Sequence, residues 1–227
     1  MATAGTTQNA GHSLNRSVRS GSVVQQGLLT CGVLSSLLYA AMLVLVPMWW
    51  PGYSSAAQAV SELSAIGAPT RSLWVPLGAL YTVLVSAFGA GMLLMACGNR
   101  ALRVTGSMLV AYGILGLFWP PMHVRGAEPT LTDTLHVAFS VVTVLLMLLS
   151  IVFGGAALGK AFRFYSIATI AVFAVFGTIS FRDAPRIAAN LPTPWLGLWE
   201  RVNIGAFLLW VIVLAIVLLR RGPQRDQ

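Results

Sequence analysis

Charge is what this chain has least of. Only 9% of its 227 residues are Asp, Glu, Lys or Arg, and six of these are acids, where a soluble domain carries roughly 25% charged residues. A water-soluble globule of this length is excluded, because too few charged groups are present to cover its surface. The two cysteines, Cys31 and Cys97, exclude a disulfide framework and suit small apolar packing positions. No P-loop, G-x-G-x-x-G, H-E-x-x-H or G-x-S-x-G occurs, so nucleotide binding has no support and no cofactor is expected. The basic residues stand singly at the ends of apolar runs rather than in a stripe, so no nucleic-acid partner is expected despite the net charge of +8.

What the chain does have is apolar length. It is 57% hydrophobic, with a mean hydropathy of +0.80. A membrane span needs ~20 mostly apolar residues to cross a ~30 Å hydrocarbon core. Six runs qualify, at about 27–50, 73–97, 104–120, 135–158, 164–181 and 195–219. The expected fold is all-α, a polytopic membrane protein of six transmembrane helices over residues 27–219. A polar, Ser/Thr/Gly-rich cytoplasmic tail over 1–26 is expected to be disordered, and 220–227 forms a short basic tail. Ala57-Gln58-Ala59 resembles a signal cleavage site, but the preceding apolar run exceeds the 7–15 residues of a signal core, so the first helix is expected to stay.

The charges sort by side. Arg16, Arg19, Arg100, Arg103, Lys160, Arg163, Arg220, Arg221 and Arg225 fall on one side with Asp226. Arg71, Arg125, Arg182, Arg186 and Arg201 fall on the other with Glu62, Glu128, Asp133, Asp183 and Glu200. Lys and Arg are retained in the cytoplasm during insertion, so both termini are expected to be cytoplasmic. Six of the seven tryptophans lie at the outward ends of the runs, where indole prefers the headgroup level. No ionisable group lies near the middle of a span, which argues against a proton-coupled pump. Small residues are frequent there instead, as in Gly89-Ala90-Gly91, Gly113-x-x-Gly116 and Gly155-x-x-x-Gly159, and let helices approach closely in lipid.

Chemistry, if any, belongs to the three long outward connections. In the first, residues 51–72, Ser55 and Gln58 have capping-box spacing and Gly67 with Pro69 is a stop, so a short amphipathic helix carrying Glu62 is expected. The second, WPPMHVRGAEPTLTDTLH at 119–136, holds His123, Arg125, Asp133 and His136. Thr132 is expected to cap the following helix, with Asp133 in its first turn and His136 three residues on, on the same face. The carboxylate is then placed to orient the His136 imidazole. In the third, Thr193-Pro194 resembles an N-cap with proline at the first helical position. Glu200 and Arg201 then lie inside the last helix, where charges are expected to face protein and to pair with another outer group.

His123 and His136 with nearby carboxylates do not have the spacing of a zinc site, and no metal is assigned. A serine hydrolase would need a hydroxyl beside a histidine, and Ser61 and Ser64 carry no supporting motif. A transporter would show a midplane polar site or a broken helix, and neither is visible. The leading expectation is a binding or accessory protein in contact with membrane lipids, with Glu62, His123, Arg125, Glu200 and Arg201 as candidate ligand-binding residues. The alternative is a membrane-embedded hydrolase acting on a lipid or envelope precursor, with His136 as base and Asp133 orienting it.

Several stretches read together as a pattern. Ser61-Glu62-Leu63-Ser64-Ala65-Ile66-Gly67, Trp119-Pro120-Pro121, Asp133-Thr134-Leu135-His136 and Gly197-Leu198-Trp199-Glu200-Arg201-Val202 occur in that order relative to the six runs. In this the chain resembles the bacterial and archaeal membrane-protein family called domain of unknown function 998, over about residues 27–219. The resemblance implies a six-helix membrane fold and implies no activity; the expected location, from the charge map, is a bacterial or archaeal cytoplasmic (inner) membrane. Met122-His123 stands where the family often carries an acidic residue, so no metal or acid role carries over to that position.

Overall fold

A computed structural model describes the secondary structure of residues 5–221 and the side chains of 23–221 apart from those of 184 and 188. Six helices follow one another: α1 Gly5–Leu45, α2 Arg71–Met95, α3 Arg100–Leu117, α4 Leu131–Ala157, α5 Lys160–Ala188 and α6 Leu196–Arg221. Single 3-10 turns occur at Val46–Trp49 and Val60–Ser64. Among the described residues there is no strand, only an isolated bridge between Ile66 and His123. The helical backbone of α1 begins inside the stretch expected to be a tail. The side chains of 5–22 and everything in 1–4 and 222–227 lie outside the described residues, so the expected basic tail is described only at Arg220 and Arg221.

Five helices are long and apolar enough to cross a membrane; in α1 the qualifying part is Val23–Trp49. The exception is α3, with 18 residues and Arg100 and Arg103 in its first turn. At ~1.5 Å per residue it reaches roughly 27 Å. The helices pack in chain order, each on the next, and α6 closes back onto α1. Phe88, Leu109, Ile151, Phe207, Trp210 and Leu214 fill the interior. Apolar side chains such as Leu37, Leu80, Val83, Val141, Leu145 and Ile167 are exposed on the outside, as a bundle solvated by lipid requires.

Small residues set the helix spacing. A Cβ on Gly89 of α2 would stand 2.7 Å from the Gly106 carbonyl of α3, and one on Gly106 would stand 2.9 Å from the Gly89 carbonyl. Gly91 lies against Leu28 of α1, and a Cβ on Gly154 of α4 would stand 2.6 Å from the Trp210 ring. These are backbone-to-backbone and backbone-to-ring approaches that only glycine permits. Gly159 does something else. It ends the Gly155-x-x-x-Gly159 pattern outside the packing, at φ +100 in the α4–α5 turn.

The two ends of the bundle differ. At one end the turns are tight, and polar side chains cap neighbouring helices. Asn99 donates to the Ala157 carbonyl at 3.3 Å, and Arg221 donates to the Leu158 carbonyl at 2.8 Å. At the other end the three long connections, 50–70, 118–130 and 189–195, meet and interlock.

Candidate functional site

The first connection does not form the expected helix from Ser55. The turn closes one residue earlier: Gln58 N–H donates to the Ser54 carbonyl (2.8 Å), while the Gln58 amide oxygen accepts from Ser54 N–H (2.9 Å). Ala59 is then extended, at φ −62 and ψ 148, and only the single 3-10 turn Val60–Ser64 follows. Glu62 explains the break. Its Oε1 reaches back to accept Ala59 N–H at 2.9 Å, which satisfies a first-turn donor locally.

Glu62 is not a surface carboxylate; its side chain is 1% exposed. Arg125 of the second connection places both Nε (3.0 Å) and Nη2 (2.9 Å) on Glu62 Oε1, and Gln58 Nε2 donates to Oε2 at 2.9 Å. Nη2 of Arg125 also donates to the Ala57 carbonyl (3.3 Å) and to Thr193 Oγ1 (2.8 Å), whose own hydroxyl donates to Ala57 O (2.8 Å). Thr193 is therefore not the cap of α6 that its place before Pro194 suggested. It is the third connection's contribution to one cluster that joins all three. The backbone reinforces the join, since Ile66 N–H donates to the Met122 carbonyl (2.7 Å) and Val124 N–H to the Ile66 carbonyl (3.2 Å).

The histidines exchange the places expected of them. Thr130, not Thr132, precedes α4, and Asp133 at the third helical position turns back to accept Thr130 N–H at 2.8 Å. This faces its carboxylate toward the loop, where it takes His123 N–H at 2.7 Å and His123 Nδ1 at 2.9 Å. Asp133 therefore orients His123, and the expected Asp133–His136 couple does not form. His136 is buried, its ring edge-on to Trp119, and its Nδ1 lies 2.8 Å from the Pro120 carbonyl. A carbonyl only accepts, so Nδ1 carries the proton. The imidazole fastens the end of α3 to α4.

Glu200 and Arg201 both turn toward the first connection. Glu200 Oε2 accepts Val60 N–H at 2.6 Å. The Arg201 guanidinium donates to the Ser55 (2.7 Å) and Gly197 (3.1 Å) carbonyls and to the Tyr53 hydroxyl (3.0 Å). Burial pushes the Tyr53 hydroxyl pKa up, so it stays protonated and donates to Ala59 O at 2.9 Å. The expected ion pair with another outer group is replaced by carbonyl contacts, because α6 presses against the loop backbone. A Cβ on Gly197 would stand 2.6 Å from the Ser55 carbonyl, and Leu198 N–H donates to the Ala56 carbonyl at 3.1 Å. Farther out on α5, Asp183 lies 3.9 Å from Arg186.

The structure thus gathers Glu62, Arg125, Glu200 and Arg201 around residues 53–60, with His123 and Asp133 as a neighbouring pair and His136 apart from both. Among the described residues, no group of three or more His, Cys, Asp or Glu is placed to hold a metal ion. Sequence reasoning missed Gln58, Thr193 and Tyr53. Gln58 had a local signal, standing four residues before Glu62; Thr193 meets Arg125 across 68 residues and Ala57 across 136, and Tyr53 meets Arg201 across 148.

A family model described as "Protein of unknown function (DUF998)" matches residues 33–217. No curated protein and no solved structure matches the chain. The match covers most of the chain, which therefore belongs to the DUF998 family of multi-pass, uncharacterised membrane proteins.

Proposed function

We propose that this DUF998 member is a non-catalytic lipid- or small-molecule-binding protein that crosses the cytoplasmic membrane six times, with both termini in the cytoplasm. Its three long connections form a braced cap at the outer interface. The observation that carries the reading is the Glu62–Arg125–Thr193 cluster, in which one buried carboxylate receives donors from two connections and the third is tied in through a hydroxyl. Oε1 of Glu62 accepts three N–H groups and Oε2 a fourth. A carboxylate whose two oxygens are already taken by four donors serves as a strut. α3 is the sixth span in this reading, with its two first-turn arginines at the cytoplasmic surface.

Against the hydrolase alternative stands the pairing of Asp133 with His123 rather than with His136, the base that the alternative requires. The test is purification in mild detergent followed by native mass spectrometry and by incubation with lipid. Co-purifying lipid without turnover supports the reading; lipid cleavage abolished by His123→Ala overturns it. For the topology, single cysteines at Ala127 and Ala161, in a background lacking Cys31 and Cys97, label from opposite sides of sealed cells. Labelling from the same side refutes the six-span arrangement.

A further inference from the structure

We infer that the recess at the start of α2 holds the phosphate of an anionic glycerophospholipid in the outer leaflet, gripped by Arg71. This deepens the lipid-binding reading above and rests on it. The recess has a volume of about 480 Å3 and is lined by Ala68, Pro69, Arg71, Ser72, Val75 and Pro76. That volume suits a phosphoglycerol head and its first methylenes but not two acyl chains.

Of the basic groups at this end, Arg71 and Arg182 join no ion pair among the described residues, and of these two only Arg71 lines the recess. Arg125 is neutralised by Glu62, and Arg186 lies beside Asp183. Arg201 is enclosed by carbonyls and Tyr53. Arg71 joins none of the ion pairs among the described residues. Its guanidinium makes one hydrogen bond among the described residues, from Nη1 to the Ser64 carbonyl. That contact anchors one edge of the guanidinium, and neither Nε nor Nη2 has a protein acceptor among the described residues. A planar fork held at one edge presents parallel donors to two phosphate oxygens, and the exposed Ser72 hydroxyl beside it adds a third.

The recess has the polarity gradient of an amphiphile. Arg71 and Val75 form one helical row and Ser72 and Pro76 the next, so charged and polar groups lie at the top and apolar ones directly below. Farther along α2, Leu80 and Val83 are exposed on the side of Ser72 and Pro76, the face along which acyl chains would lie. A protein partner would not need that gradient. No lining residue is acidic, so nothing there favours the ammonium of a zwitterionic head, and the preference is for a lipid of net negative charge.

The experiment compares detergent-purified protein titrated with phosphatidylglycerol, with phosphatidylcholine of the same chains, and with soluble glycerol phosphate, read by native mass spectrometry and thermal shift. The expected result is retention and stabilisation by phosphatidylglycerol above the other two. Arg71→Gln should weaken it about fivefold, the effect of ~1 kcal/mol per basic group near an anionic surface. Ser72→Glu keeps the fold, because a carboxylate suits a helix start, and should weaken binding at least as much by neutralising Arg71. Arg182→Gln, on exposed α5, should change nothing. Equal phosphatidylglycerol binding by wild type, Arg71→Gln and Ser72→Glu overturns the site while leaving the lipid-binding reading in place. Glycerol phosphate bound as tightly as phosphatidylglycerol overturns the lipid as the source of the phosphate. Failure of the wild type to retain any lipid overturns both.

Discussion

Replacing Glu62 by glutamine keeps the shape of the cap cluster and removes its charge. The amide oxygen can still occupy the Oε1 position, where it meets Ala59 N–H and two Arg125 donors. The amide nitrogen then faces Gln58 Nε2, a donor against a donor. Gln58 cannot simply flip, because its oxygen is held by Ser54 N–H at 2.9 Å. Removing one member of a buried ion pair costs about 3–5 kcal/mol. Arg125 is 19% exposed and keeps Ala57 O and Thr193 Oγ1, which lowers the expectation for Glu62→Gln to about 2 kcal/mol. Glu62→Ala also strands Ala59 N–H and should reach about 4 kcal/mol. Equilibrium unfolding in mixed micelles, followed by tryptophan fluorescence, measures both. A cycle with Arg125→Met should give a coupling of about 2 kcal/mol between the two positions. Coupling near zero, or a Glu62→Gln variant as stable as wild type, would refute the cluster as the brace of the cap.

Asp133→Asn should lower stability by about 1–2 kcal/mol, because the caps to Thr130 N–H and His123 weaken together. His136→Ala should act additively with it, whereas His123→Ala should not; an additive His123 result would show that the Asp133–His123 pair is not formed. Gly154→Ala should destabilise by about 1–3 kcal/mol through overpacking against Trp210, and Gly78→Ala, which meets nothing within 4 Å, should be neutral or mildly stabilising. The same thermal melts decide both, and a neutral Gly154→Ala would contradict the α4–α6 contact.

The helices were legible because apolar run length is a local property that the bilayer fixes. Starts and stops agree to within about five residues except at the start of α1, whose helical backbone begins at Gly5 rather than near 27, and at the end of α5, which runs on from the expected 181 to Ala188. The cap was legible in membership but not in pairing. Asp133 and His136 share helical spacing, which suggested a couple, but spacing describes only neighbours on one element. Thr130-Leu131-Thr132-Asp133 is itself a capping-box pattern. A carboxylate completing that box points back toward the N-cap and away from the residue three ahead. Taking Thr130 as the cap would have turned Asp133 toward the loop and its histidine. Glu62 presented the converse difficulty: Arg125, its partner, lies 63 residues away, and nothing in the sequence between them encodes that distance.

A buried ion pair is a weak source of stability, since apolar residues of similar volume often replace it without loss. What Glu62 and Arg125 supply is direction. The first connection is rich in Ala, Ser and Gly, residues too small to interlock by shape, and the cap has no disulfide to hold its register. A carboxylate that must find one guanidinium selects a single docking of two loops, and Thr193 and Ala57 O then select the third. Glu62→Leu with Arg125→Met should therefore stay within about 1 kcal/mol of wild type yet lose the unique arrangement of residues 51–70. Limited proteolysis of the detergent-purified protein reads this directly, through cleavage between Tyr53 and Ala68 in the double variant at protease levels that leave wild type intact. If the double variant is as resistant as wild type, apolar packing alone holds the cap, and the charged pair does not specify its register.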